Sequence, residues 1–223
     1  MKQGFVKVAS ATPRIRVADP VYNAQVICEQ AKEAAEHGAK IVVFPELCIT
    51  GYTCNDLFLQ ELLLEKAKEA LLTIAEETGQ LETLFLVGLP VDKDGRLYNV
   101  AAVLYRGRIL GMIPKKNIPM YAEFYEGRHL TPGEETVTEY RLGKQVIPFG
   151  SNLLFRCEEL PELVLGCELC EDLWVAEPPS TSHALMGATV IANLSASNET
   201  VSKDDYRTLL IKASSARLLC GYI

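Results

Sequence analysis

The sequence predicts an α/β domain, and three observations point there. Short apolar runs such as residues 40–44 (Lys-Ile-Val-Val-Phe) have the composition of strands buried in a sheet that helices cover. Between such runs lie segments whose apolar residues repeat at helical spacing and which end on glycine. At 223 residues, 48% hydrophobic and 23% charged, the chain can bury the core a layered fold needs. No internal repeat, low-complexity tract or linker divides it, so one domain is expected.

The elements follow in order. Residues 5–10 read as the first strand. Asp19 sits as a helix N-cap with Pro20 at the first helical position. Val21, Ala24, Ile27, Cys28, Ala31, Ala34 and Ala35 then keep helical spacing, and Gly38 closes the helix. Residues 40–44 form the next strand, and residues 56–78 read as one long helix stopped by Gly79. A strand over 83–89 leads to a turn at Asp92-Lys93-Asp94-Gly95. Residues 99–105 and 108–113 read as a hairpin across Arg106-Gly107. Residues 114–148, rich in Pro, Gly and Glu, are expected as one long loop, and loops of that length in compact domains are usually functional. Strands near 152–156, 163–167 and 189–194 follow, with a short helix at 181–186. A helix over 204–219 leads to Tyr222-Ile223, which looks like the opening of another apolar strand. A domain that continues beyond this point is therefore expected.

Bulk properties exclude several classes. A net charge of −7 disfavours nucleic acid, because phosphate binding depends on a dense Lys/Arg surface. No run approaches the roughly 20 apolar residues of a membrane span. The opening Met-Lys-Gln-Gly-Phe-Val-Lys-Val carries neither a long apolar stretch nor a cleavage signal. The seven cysteines are odd in number, and Cys28, Cys157 and Cys220 lie in apolar or strand-like surroundings. Free buried thiols fit this better than a disulfide framework. A cytoplasmic enzyme is the expectation.

Three polar segments stand at the C-terminal ends of expected strands, the edge where open α/β sheets bind ligands. They are Phe44-Pro45-Glu46-Leu47, then Ile113-Pro114-Lys115-Lys116, then the stretch from Gly166 through Cys170-Glu171-Asp172 to Trp174. Each has a bland reading: a loop carboxylate, a solvated lysine pair, a cysteine serving as a small core residue. Cys167-x-x-Cys170 also invites a redox or zinc reading. Flanking carboxylates oppose the activation a redox thiol needs, and the three scattered histidines, His37, His129 and His183, supply no second half for a zinc site. No phosphate-binding glycine loop is present, and Asn193-Leu-Ser-Ala-Ser197 lacks the glycines of a serine nucleophile elbow.

Taken together, the three segments resemble the nitrilase or carbon–nitrogen hydrolase superfamily, whose catalytic groups are Glu, Lys and Cys. The stretch from Phe44 to Tyr52 (FPEL-x-x-x-GY) resembles its glutamate motif, Pro114-Lys115 its lysine motif, and Cys170-Glu-Asp-Leu-Trp174 its nucleophile motif. Within the superfamily, the run Pro114-Lys115-x-x-x-Pro-x-Tyr121-x-Glu-Phe124-Tyr-Glu126 is similar to the glutaminase domain of bacterial glutamine-dependent NAD⁺ synthetases. So are Asn193-Leu-Ser-Ala-Ser197 and Lys203-x-x-x-Arg207. The resemblance covers residues 5–223.

It implies a four-layer α-β-β-α sandwich, incomplete at its C-terminus, over 1–223. It also implies a separate ATP-using synthetase domain outside this chain. Cys170 would be the nucleophile, Glu46 the general base and acid, and Lys115 the charge that stabilises the oxyanion, with the Glu171 N–H as a second donor. Glu126 would be a supporting carboxylate, though a loop acid near a turn is an equal reading. Tyr121, Phe124 and Trp174 would wall a glutamine pocket, Ser197 would hydrogen-bond, and Lys203 would pair with the α-carboxylate. That position is often arginine in the family, and lysine lacks its bidentate geometry. L-Glutamine is the implied substrate and the synthetase domain the implied partner; no cofactor is implied for this chain, and ATP and Mg²⁺ would belong to the synthetase domain alone. Homo-oligomers are the family's habit. Two alternatives stay open: a free-standing amidase, carbamoylase or nitrilase, and a non-catalytic binding domain that keeps the fold.

Overall fold

A computed structural model describes residues 4–223; residues 1–3, the start of the expected leader-free N-terminus, lie outside the described residues. The chain forms two sheets. The larger has seven strands in the order β1 (Val8–Ser10), β2 (Ile41–Val43), β3 (Leu84–Lys93), β4 (Arg96–Tyr105), β5 (Arg108–Pro114), β7 (Gln145–Phe149), β6 (Thr138–Leu142). The smaller runs β11 (Gly221–Tyr222), β10 (Val190–Leu194), β9 (Val164–Leu169), β8 (Leu154–Arg156). Strands β1 to β3 are mutually parallel, as are β9 to β11.

Alternation along the strands creates the layers, because successive side chains point to opposite faces. Ile41, Val43, Leu86, Ala101, Val103 and Ile113 of the large sheet pack against Leu165, Cys167, Leu169, Ala192 and Leu194 of the small one. On the other face, Val42, Phe85 and Val87 pack against Ala24, Ile27 and Ala31 of α1 (Pro20–Glu36) and Ala67, Leu71 and Ile74 of α2 (Glu61–Glu77). Helices α3 (Pro179–Leu185) and α4 (Lys203–Leu218) lie against β9 and β11 outside the small sheet. The result is the expected four layers, helix, sheet, sheet, helix.

Local signals explain most boundaries. The Asp19 carboxylate accepts the Tyr22 N–H at 3.1 Å and Pro20 opens α1, and Gly38 leaves it at φ 81°. Two of the tight turns place two consecutive residues at positive φ, Asp94-Gly95 (52° and 73°) and Arg106-Gly107 (47° and 76°), and a third, Gly143-Lys144, has Gly143 alone there at 57°. That is the twist a two-residue hairpin demands.

Two expectations are corrected. The single helix over 56–78 divides into a 3₁₀ segment, Tyr52–Leu59, and α2, with Gln60 extended between them at φ −88°, ψ 119°. Cys54 and Phe58 pack on Leu47 and Leu63 in a separate cluster rather than on the sheet, so the chain must turn before α2. The long loop over 114–148 is also not all loop. Tyr140, Leu142, Ile147 and Phe149 point inward from a hairpin, β6–β7, which joins the sheet through one pairing of Met112 with Phe149. Among the described residues, no helix is long and apolar enough to cross a membrane, and all seven cysteines are free.

Candidate functional site

Glu46 follows β2 by three residues, Lys115 follows β5 directly, and Cys170 follows β9 directly. The turn that presents Glu46 packs against β3 so closely that only glycine fits at position 88. A Cβ there would lie 2.3 Å from the Leu47 nitrogen and 2.6 Å from the Pro45 oxygen, both backbone atoms. Leu47 itself takes a left-handed φ of 52°. The bare backbone of Gly88 is what lets the carboxylate cross the sheet edge.

The charged groups meet in a buried cluster. Lys115 Nζ donates to Glu46 Oε1 at 2.7 Å and to Glu126 Oε1 at 2.6 Å. The Lys115 and Glu46 side chains have no solvent exposure, and Glu126 has 5%. Asn99 of β4 donates to Glu46 Oε1 at 2.7 Å, and the Ala196 N–H donates to Glu46 Oε2 at 3.1 Å. The Tyr52 hydroxyl donates to Glu126 Oε1 at 2.8 Å. Burial pulls the Lys115 ammonium down, but Glu46 and then Glu126 outweigh it and hold it charged. Glu126 is pushed up, first by burial and then by the Glu46 charge.

Cys170 is buried beside this cluster. Burial raises its thiol well above the ordinary range and the Glu46 carboxylate raises it further, while Lys115 and the Ala196 amide favour the thiolate. Burial and the Glu46 charge thus favour the protonated thiol, and the same carboxylate is near enough to receive its proton. The residue stands at φ 42°, a costly conformation for a residue with a Cβ. Its own N–H donates to Asn193 Oδ1 at 3.0 Å.

Asp172 ties the lysine and cysteine segments together. One oxygen accepts the Asn117 N–H and side-chain amide, both at 2.8 Å, and the other accepts the Leu169 N–H at 3.0 Å.

Most of the expected pocket residues gather at one edge. The Tyr121 hydroxyl donates to Glu171 at 2.9 Å, and the Tyr121 and Phe124 rings stack edge-on at 5.5 Å. Lys203 Nζ lies 5.5 Å from the Phe124 ring and 5.1 Å from the Trp174 ring, in cation–π range, and also donates to Asn198. Ser197 is half-buried next to Ala196. A separate cavity of about 450 Å³ borders Leu47, Tyr52, Glu126 and His129; neither Cys170 nor Lys115 lines it.

Sequence reasoning missed Asn99, the Ala196 amide and the part Tyr52 plays. An asparagine inside the apolar run of β4 was the available signal, since a buried amide must find a partner. Tyr52 and Asn193 lay within the motifs already noted, but nothing in those motifs told what the side chains touch. Among the described residues, no group of three or more His, Cys, Asp or Glu is placed to hold a metal ion.

A fold of two facing sheets with Glu, Lys and Cys at adjoining strand ends defines a class, and the sequence profile of the carbon-nitrogen hydrolase family matches residues 7–220. The chain belongs to the carbon-nitrogen hydrolase family. Over 222 residues it is 41% identical to a glutamine-dependent NAD(+) synthetase of Mycobacterium tuberculosis, covering 100% of this chain and 33% of that protein. The crystal structure of a glutamine-dependent NAD(+) synthetase from Cytophaga hutchinsonii superposes with a TM-score of 0.87 at 29% identity, over 97% of this chain and 35% of that one. An amidase from Nesterenkonia sp. shares the fold at a TM-score of 0.72 and 20% identity, over 97% of this chain and 75% of that one. The chain thus spans about a third of the length of the synthetases it matches.

Proposed function

We propose that this chain is the glutaminase part of a glutamine-dependent NAD⁺ synthetase, hydrolysing the side-chain amide of L-glutamine through a thioester on Cys170. The observation that carries this reading is the Glu46–Lys115–Glu126 cluster, sealed from water and electrostatically coupled to the Cys170 thiol.

A carboxamide is a weak electrophile, so attack requires a strong nucleophile and somewhere for charge to go. Glu46 takes the thiol proton as Cys170 Sγ bonds to the amide carbon. The negative charge that develops on the carbonyl oxygen is met by the Lys115 ammonium and the Glu171 N–H. Collapse breaks the carbon–nitrogen bond, and Glu46 returns its proton to the departing nitrogen, which leaves as ammonia. Water then gives a proton to Glu46 and attacks the thioester. The second tetrahedral species expels the sulfur, which regains its proton, and glutamate is released. Glu126 fixes the lysine between two carboxylates, which aims the ammonium while leaving it charged.

Tyr121, Phe124 and Trp174 wall the pocket for the amino-acid end of glutamine. Lys203 meets its α-carboxylate, with Ser197 and Glu171 as hydrogen-bonding partners. The ammonia serves an ATP- and Mg²⁺-dependent synthetase domain, which amidates nicotinic acid adenine dinucleotide; no step above uses either cofactor. A cytoplasmic homo-oligomer is the proposed setting.

The test is labelling of the full-length protein by a glutamine-like electrophile, together with ammonia release from a panel of amides. Stoichiometric modification at Cys170, lost in Cys170→Ala, with preference for glutamine supports the reading. Preference for another small amide would replace it with a free-standing amidase, and no labelling at all would favour a non-catalytic domain.

A further inference from the structure

Cys170 faces a problem that the charged cluster does not solve. Its turn is left-handed, and such a conformation persists only where the surroundings over-determine it. Asp172 anchors the flanking Leu169 N–H, and the group that holds the Cys170 N–H itself is the Asn193 side chain, whose Oδ1 accepts it at 3.0 Å and accepts the Ser195 hydroxyl at 2.7 Å. A carboxamide has two nearly equivalent orientations, and rotated by half a turn it would present a donor to the Cys170 N–H, which can only donate. Something must fix it.

On its other side, Asn193 Nδ2 lies 3.4 Å from Glu168 Oε1 and 3.4 Å from the Tyr222 hydroxyl. The Tyr222 hydroxyl itself donates to Glu168 Oε1, and Glu168 Oε2 accepts the Ser180 N–H at 2.8 Å. Glu168 is 1% exposed and sits in β9, where the neighbouring residues on both sides are apolar. A carboxylate there is costly unless it is fully hydrogen-bonded, and packing alone would be served by leucine. With an acceptor at Glu168, the only favourable orientation of Asn193 turns its NH₂ toward Glu168 and its oxygen toward Cys170.

We propose that Glu168 and Tyr222 are positioning residues for the nucleophile, acting through the Asn193 carboxamide to hold the Cys170 turn. One consequence concerns the oxyanion: the Cys170 N–H is committed to Asn193, which leaves the adjacent Glu171 N–H to serve the substrate. The inference rests on Cys170 being the nucleophile of the proposed reaction, so its test includes a readout that needs no glutamine.

In the full-length protein, Tyr222→Phe, Glu168→Gln and Glu168→Leu are compared for glutaminase kinetics and for the rate of Cys170 alkylation by iodoacetamide. Tyr222→Phe is expected to lower kcat several-fold and Glu168→Leu tenfold or more, with KM changed less than twofold. Glu168→Gln, which retains an acceptor oxygen, recovers part of the loss. Alkylation falls in parallel in each variant. Folded Tyr222→Phe and Glu168→Leu proteins that keep both rates within twofold of the parent overturn the proposal, as does a change confined to KM. If Glu168→Leu does not fold, Tyr222→Phe, which deletes one hydroxyl, decides alone. If the parent does not hydrolyse glutamine, the glutaminase reading fails while the alkylation rates still decide the positioning of Cys170.

Discussion

Replacing Lys115 by Met keeps the buried stem and removes one charge from between two carboxylates. At the observed 2.7 Å and 2.6 Å, each contact has a Coulomb energy of about 6 kcal/mol at an effective dielectric of about 20. Desolvation of three ions opposes most of that, and removal of one partner from a buried pair costs about 3–5 kcal/mol. The size of the loss should depend on pH. Glu126 is already pushed up by burial and by Glu46, and without the ammonium it rises further. A carboxyl whose folded pKa is raised contributes stability below its unfolded value, near 4.3, and loses it as pH rises. The deficit of Lys115→Met relative to the parent should therefore widen by up to about 1.4 kcal/mol per pH unit, or about 3 kcal/mol between pH 5 and pH 7. Urea unfolding followed by the fluorescence of Trp174, the single tryptophan, at the two pH values measures it. An equal deficit at both, or one below about 1 kcal/mol, would show that the lysine is not what keeps two buried carboxylates ionised side by side. Glutamine hydrolysis should fall by a factor of about 100–1,000 at either pH, as for loss of an oxyanion donor.

Three other expectations follow from the same structure. Cys170→Ala should reduce ammonia release to below about one-thousandth of the parent while the melting temperature stays within a few degrees, since it deletes one sulfur; residual turnover above that level would exclude a thioester route. Gly88→Ala drives a methyl group into the backbone of residues 45–47. It should cost about 1–3 kcal/mol by overpacking and lower kcat beyond what its stability explains, because the displaced turn carries Glu46; a fully active, equally stable variant would contradict the close approach. For Asp172, burial pushes the carboxyl up to about 6, above the usual 3.9 or so. The folded chain then keeps a proton that the unfolded chain has released, so this contribution to stability is present below pH of about 4 and is lost as pH rises toward about 6. Asp172→Asn should flatten the stability–pH curve over that interval, and unchanged slopes in unfolding titrations at pH 4.5, 5.5 and 6.5 would count against it.

Much of the architecture was legible because its signals are local. Asp19-Pro20 and Gly38 mark the ends of α1, and Arg106-Gly107 marks a hairpin, since caps and tight turns are set by the few residues that form them. The motifs around Glu46, Lys115 and Cys170 were legible for a related reason: each is a short polar segment breaking an apolar run. The β6–β7 hairpin was missed although Tyr140 and Leu142 alternate with Glu139 and Arg141, because the Pro and Gly around it read as loop. The division of the 56–78 helix was hidden as well. Helical propensity runs through it, and only the packing of Cys54 and Phe58 on Leu47 forces the turn at Gln60.

The sequence by itself determined the class of elements, the order of the three polar segments and the kinds of reactive group they carry. Tertiary structure alone decided that the Lys115 ammonium lies between Glu46 and Glu126, that Asn99 and the Ala196 amide complete the carboxylate's partners, and that Asn193 faces the Cys170 N–H. The partners in these contacts are between 11 and 150 residues apart along the chain. No local preference encodes such a meeting; it exists only when two sheets close on one another and water is excluded from the space between their strand ends.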